Sequence, residues 1–181
     1  MKFITENFYL RLIEKDDAQV LLDFELRNRE LFTLTSPTRP DSFYTLEGKQ
    51  QFIDRLLIDA ENNLGYSFLL FNHQNECVGW VSLFEILNAP SLNSCFIGYR
   101  TDPSIHHKGY TTQAVSMVCD FAFNSLKIHR IEAGVLPRNI ASQRVLEKNG
   151  FEREGLSRKN VEINGVWEDH YLYGQLNPNT L

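Results

Sequence analysis

Residues 99–111 read Tyr99-Arg100-Thr101-Asp102-Pro103-Ser104-Ile105-His106-His107-Lys108-Gly109-Tyr110-Thr111. The first three residues close an extended run, Ser94–Thr101. Asp102, Pro103 and Ser104 then break it. From Thr111 to Asn124 the apolar residues Ala114, Val115, Val118, Cys119 and Ala122 recur at helical spacing. The stretch is therefore strand, short loop, helix. A helix start carries unpaired N–H groups and the positive end of the dipole, which together attract an anion. Gly109 allows the backbone to approach a phosphate with no Cβ in the way. His106, Lys108 and Thr111 can add donors, and His107 and Tyr110 complete the loop. The physical reading is a phosphate cradle over His106–Thr111. A plain strand–turn–helix connection uses the same residues.

Downstream, Asn139-Ile140-Ala141-Ser142-Gln143-Arg144-Val145-Leu146-Glu147-Lys148-Asn149-Gly150-Phe151 follows a strand over Ile128–Leu136 and predicts a helix over Asn139–Asn149. Asn139 suits the N-cap, and Gly150 suits the C′ position with Phe151 behind it. Ser142 and Leu146, four apart, share one face. Asn139 can also reach a ligand amide, although capping alone accounts for it.

Upstream, Phe8–Ile13 reads as a strand and Glu14–Asn28 as a helix. Leu31–Phe43, with two prolines, reads as a loop whose apolar residues suit a lid or a substrate wall. Leu46–Asn62 is a second helix, and Tyr66–Phe71 and Val78–Ile86 form a hairpin. Gly98 predicts a bulge or a close backbone approach within its strand. Val161–Asn164 and Trp167–Leu176 close the chain around the turn Asn164-Gly165. The order βααβββαβαββ implies an α+β or mixed α/β fold with helices on a largely antiparallel sheet.

The 181 residues predict a single domain spanning 1–181. A composition of 43% hydrophobic and 23% charged residues is that of an ordinary globular protein. The net charge of −5 argues against an extended surface for nucleic acid, and suits a cationic or amine substrate. Cys77, Cys95 and Cys119 are odd in number and form no CxxC pair, as expected of reduced cytoplasmic thiols. No signal peptide and no membrane-length apolar run is read. Adjacent His106 and His107 do not converge on one ion, so no metal is expected. Neither GxGxxG nor GxxxxGK[ST] occurs, which sets nucleotide-binding folds aside.

Together the two segments resemble motifs A and B of the GNAT superfamily of acyl-CoA-dependent N-acetyltransferases. The resemblance extends to the N-terminal RLIEKDDA and to Gly79–Leu83, GWVSL. It is strongest toward the RimJ/RimL group, which acetylates N-terminal amines of ribosomal proteins; IGYRTDP, KGYTTQAV and NIASQRVLEKNGF carry it. The resemblance implies a twisted, mostly antiparallel sheet, splayed at the cofactor site, with about four helices. It implies acetyl-CoA as cofactor, an amine-bearing substrate and dimers among relatives. The family's loop pattern, Gln/Arg-x-x-Gly-x-Gly/Ala, falls on His106, Gly109 and Thr111, and only Gly109 matches it strictly. Tyr99, Arg100 and Thr101 would pair their backbone with pantetheine as with an added strand. Asn139 would contact the cofactor from the last helix.

Acetyl transfer requires a deprotonated amine, a polarised carbonyl and relief for the leaving thiolate. Backbone N–H groups near Arg100–Thr101 can polarise the carbonyl. Many family members place a tyrosine acid where this chain has Leu146. Ser142, one turn earlier on the same face, is the substitute, matching an N-x-x-S variant of the RimJ/RimL group. Glu85, at the end of an apolar strand, is the candidate general base, because a carboxylate withdrawn from water becomes more basic. Placed at the sheet rim it would instead be solvated. Glu162 ranks behind it, and Glu132 reads as surface or paired. His129 and His170 read as structural. Three functional readings follow: an N-acetyltransferase for a protein N-terminus, one for a polyamine, aminoglycoside or metabolite, and a non-catalytic acyl-CoA-binding module.

Overall fold

The computed structural model describes residues 1–180, so Leu181, the last residue of the expected domain, lies outside the described residues. The chain runs β1 (Lys2–Ile4), β2 (Tyr9–Leu12), α1 (Ala18–Arg27), α2 (Arg29–Thr33), α3 (Leu46–Glu61), β3 (Tyr66–Phe71), β4 (Cys77–Ala89), β5 (Leu92–Thr101), α4 (Tyr110–Asn124), β6 (Arg130–Val135), α5 (Ile140–Lys148), β7 (Glu152–Ile163) and β8 (Val166–Leu176). The strands form one sheet in the order β1-β2-β3-β4-β5-β6-β8-β7. Every neighbouring pair is antiparallel except β5 and β6. This is the mixed α/β architecture that the order of elements implied, with one more strand and one more helix.

The apolar run of β3 is buried on both faces, as a strand between two helical layers must be. Phe68 and Leu70 join Val81, Leu83 and the α4 residues Ala114, Val115 and Val118 on one face. Leu69 and Phe71 join Leu21 and Phe24 of α1 and Ile53 of α3 on the other. Caps hold the helices in place. Thr45 accepts from Gly48 N–H (3.1 Å), and Asn139 accepts from Ser142 N–H (3.1 Å). At the end of α5, Gly150 has φ +82°, and Phe151 N–H returns to the Leu146 carbonyl, a Schellman closure as expected for these residues. Asp102 ties α1 to the end of β5: its carboxylate accepts from Arg27 Nε (2.8 Å), Asn28 Nδ2 (3.1 Å) and Ser104 N–H (2.9 Å).

Several sequence expectations are corrected. β1 is too short to show a period. β7 begins at Glu152 rather than Val161, because it is a sheet edge whose residues are mostly exposed and so lacks apolar alternation. The stretch 31–43 is not all loop: α2 runs into it, and Asp41–Tyr44 forms a 3₁₀ turn. Gly98 pairs regularly with Ser82, and the bulge lies between Phe84 and Leu87, with Glu85 at φ +51°. The close approach at Gly98 is real, since a Cβ there would lie 3.3 Å from the Phe84 ring.

One irregularity shapes the function. The parallel ladder between β5 and β6 holds for only Ser94–Phe96 against Arg130–Glu132. Beyond it the two strands part. Ile97–Thr101 and Ala133–Val135 then line a cavity of about 800 Å³. Among the described residues, no helix is long and apolar enough to cross a membrane.

Candidate active site

The start of α4 faces one end of this cavity. Gly109 is its N-cap at φ +80°, and no side chain caps the helix. Gln113 N–H bonds the Gly109 carbonyl (3.0 Å), which leaves the N–H groups of Tyr110–Thr112 pointing out of the helix end. A Cβ at Gly109 would meet nothing within 4 Å. His106, His107, Gly109 and Thr111 line the cavity. His106 Nε2 lies 3.3 Å from the Thr101 carbonyl, and Thr111 Oγ1 donates to Thr101 Oγ1 at 3.3 Å. Lys108 is exposed and is not part of the lining. The Tyr110 ring packs on Phe8 (centroids 5.5 Å apart), so this residue offers its backbone alone.

On β5, alternation sends Tyr99 and Arg100 to opposite faces. The Arg100 side chain is held by the buried Glu25 of α1, Nη1 to Oε1 3.0 Å, and lies over the Trp80 ring. The Tyr99 phenol reaches α5: it donates to the Ser142 carbonyl (3.0 Å) and lies 2.9 Å from Ser142 Oγ. Burial pushes this phenol above its usual value, so it keeps its proton. Leu146 has no exposed surface and belongs to the core. Ser142 and Asn139 both line the cavity. Sequence reading assigned Tyr99 a backbone role only. Its side-chain role was signalled by strand alternation opposite a serine-bearing helix, a pairing that spacing along the chain cannot reveal.

The carboxylates lie elsewhere. Glu85 is exposed on the bulge and absent from the cavity lining, so the withdrawal from water that nominated it does not occur. Glu162 is exposed on β7. Glu132 is paired with Arg130 at 2.9 Å, as expected. His129 is exposed, with Nδ1 2.8 Å from Thr180 Oγ1. His170, read from the sequence as structural, lies at the cavity. It is buried on β8, lines the cavity against Gly134, and its Nδ1 has no partner. Burial pushes its imidazole below the usual value, so it is neutral at pH 7. The cysteines are free and buried; burial raises Cys77 and Cys95 to about 12, which makes them poor nucleophiles.

The cavity's other end lies between β4 and the α2–α3 segment. Phe32, Phe52, Leu56 and Trp80 form its walls, together with Arg39.

A sheet parted beside an open helix N-terminus, with one strand's backbone left free, is the architecture of an acyl-CoA N-acyltransferase. A family model described as an acetyltransferase (GNAT) domain matches residues 7–152. The probable N-acetyltransferase YjcK of Bacillus subtilis (strain 168) is 45% identical over 96% of both chains. The ribosomal-protein-S5-alanine acetyltransferase from Vibrio fischeri superposes with a TM-score of 0.95 at 33% identity, covering 99% of this chain and 98% of that one. Mycobacterium smegmatis RimJ, solved in complex with CoA-disulfide, gives a TM-score of 0.88 at 26% identity, covering 96% of this chain and 83% of that one. The chain belongs to the GNAT family of acetyl-CoA-dependent N-acetyltransferases and is RimJ/RimL-like.

Proposed function

We propose that the chain acetylates the N-terminal amine of a protein or peptide, the amine attacking acetyl-CoA directly while both are bound. The observation that carries this reading is the continuous cavity, which runs from the α4 N-terminus through the parted strands to the α2–α3 wall. Donor and acceptor can therefore meet at the splay. The likeness to the Vibrio fischeri S5-alanine acetyltransferase supports the acceptor class.

The residues present fit acetyl-CoA. The unpaired N–H groups at the start of α4 and the open space over Gly109 suit its pyrophosphate. His106, His107 and Thr111 would flank it. The free edge of β5 at Tyr99–Thr101 would hold the pantetheine amides, with Asn139 opposite. When bound, the cofactor supplies an activated thioester. His170, held neutral by burial and with Nδ1 free of a partner, would take the proton of the attacking amine. As nitrogen–carbon bonding replaces carbon–sulfur bonding, the Ser142 hydroxyl would donate a hydrogen bond to the departing sulfur, and the thiol's proton would come from solvent, into which His170 releases the one it took. Tyr99, hydrogen-bonded to Ser142, orients that hydroxyl.

Incubation with acetyl-CoA and a panel of peptides and small amines tests the reading, by mass shift of the acceptor and by thiol release. Acetylated peptide N-termini are expected. Acetylation confined to polyamines, aminoglycosides or small metabolites would replace the peptide assignment. Cofactor binding with no thiol release on any acceptor would leave a non-catalytic binding module.

A further inference from the structure

Behind the acceptor end of the cavity, α3 carries Lys49 with none of its surface exposed. Its Nζ has no hydrogen-bond partner and sits 3.1 Å from the centroid of the Phe43 ring. Arg39, in the segment before α3, lies over the same ring at 5.1 Å, and its buried Nε is also unpartnered. Trp80 Nε1 is a third buried donor without an acceptor. Arg39 and Trp80 line the cavity directly, with Phe52 edge-on to Trp80 at 5.8 Å. Buried donors are nearly always satisfied, and each exception requires an explanation.

The charges point the same way. Three cations, Arg39, Lys49 and Arg100, gather at this wall around one buried carboxylate, Glu25. Glu25 is already engaged by Arg100 in two contacts, at 3.0 and 3.3 Å. Arg39 and Lys49 make no salt bridge among the described residues. An unpaired buried ammonium at Lys49 is costly in the free protein, and an anion entering the cavity would meet its field together with the half-buried charge of Arg39.

We infer that this wall is an anion subsite for the acceptor: the substrate is an amine that carries a carboxylate, which the Arg39 guanidinium binds beside the Trp80 ring, with Lys49 lending charge from behind Phe43. This deepens the proposed N-acetyltransferase reading and rests on it for the amine. The net charge of −5 suits an amine substrate, and this wall adds a place for a negative group on that same amine. The carboxylate can belong to an acidic residue near a peptide N-terminus or to a free amino dicarboxylate.

Two measurements decide the matter. Peptides beginning with Ala and carrying Glu or Gln at the next positions are compared as acceptors, beside free glutamate and glutamine. The acidic member of each pair is expected to show a kcat/KM higher by about tenfold, the scale of one charged pair in a partly buried site. The preference should vanish in Arg39→Gln and shrink in Lys49→Met, with KM for acetyl-CoA unchanged. Whether peptide or free amino acid is used identifies the source of the carboxylate. Equal use of Glu and Gln acceptors, or a preference surviving Arg39→Gln, would overturn the subsite. The second measurement needs no turnover: glutarate is titrated into Trp167→Phe protein while Trp80 fluorescence is read. Saturable quenching that Arg39→Gln abolishes is expected. A response matched by potassium chloride at equal ionic strength, or no response, would refute the site even if the enzyme is active. Loss of all acetyl transfer with glutarate binding intact would instead defeat the catalytic reading alone.

Discussion

Ser142 meets the cavity with its hydroxyl held against Tyr99, and Leu146, one turn further along, is sealed in the core. Ser142→Ala should therefore lower kcat by about a hundredfold while acetyl-CoA affinity, read by calorimetry, barely changes. Wild-type turnover would remove the hydroxyl from the mechanism. As the proposed base, His170 would set the pH dependence. Glu168 and Asp169 on its own strand favour its cation, Arg138 opposes it, and burial outweighs them. A base must be neutral to accept a proton, so kcat/KM should rise with pH through a value below 6.5, the imidazole's ordinary one, and then level off. His170→Gln should flatten that acid limb; an unchanged profile would assign the proton to water or another group. Ser142's place on the face of Leu146 was legible from helix spacing, and the role proposed for it came from the N-x-x-S resemblance. His170 was not: a lone histidine in a strand has no pattern, and only the pairing of β6 with β8 brings it beside Gly134.

Among the elements, the loop entering α4 keeps its family pattern at Gly109 and departs from it at His106 and Thr111. Gly109 is left-handed at φ +80° with open space above it. Gly109→Val thus meets no crowding within the protein, but it strains the backbone by about 1 kcal/mol or more and projects a branched side chain over the helix N–H groups. Acetyl-CoA affinity should fall at least tenfold by calorimetry, with thermal stability only slightly reduced. Undiminished affinity would place the pyrophosphate elsewhere. The boundaries of this loop, of β3 and of α5 could be read from the chain because apolar period and turn residues agree there. β7 could not be, since its edge position leaves residues 152–160 mostly exposed and patternless.

At the scale of the molecule, two helical layers on one sheet bury enough apolar surface to carry an uncompensated cation. Burial lowers Lys49 from 10.5 to about 8, with Arg100 and Arg39 adding to the shift and Glu25 opposing it. Between pH 8 and 10.5 the unfolded chain therefore binds a proton that the folded chain does not. Stability from this group rises with pH across that window, and below it the burial penalty is present in full. Lys49→Met should raise the melting temperature at pH 7, by about 1–4 kcal/mol in stability, with the difference narrowing toward pH 10.5. No stabilisation at pH 7 would mean the ammonium is satisfied in solution. The layered fold was readable from the order of elements, whereas this cation cluster was not, because Arg39, Lys49 and Arg100 come from three separate segments.

The parting of β5 from β6 bears on how such a protein can change over time. The proposed hold on the cofactor is written mostly in main-chain amides, along one strand edge and around one helix start. Those groups are the same whatever side chains accompany them, so His106 and Thr111 can stand where relatives carry other residues without the hold being lost. A sequence that still folds this sheet, with its ladder ending at Phe96 and Glu132, would keep the proposed donor site along with the topology. Side-chain variation is then free to act at the opposite wall, where Arg39, Lys49 and Trp80 would set which amine is acetylated.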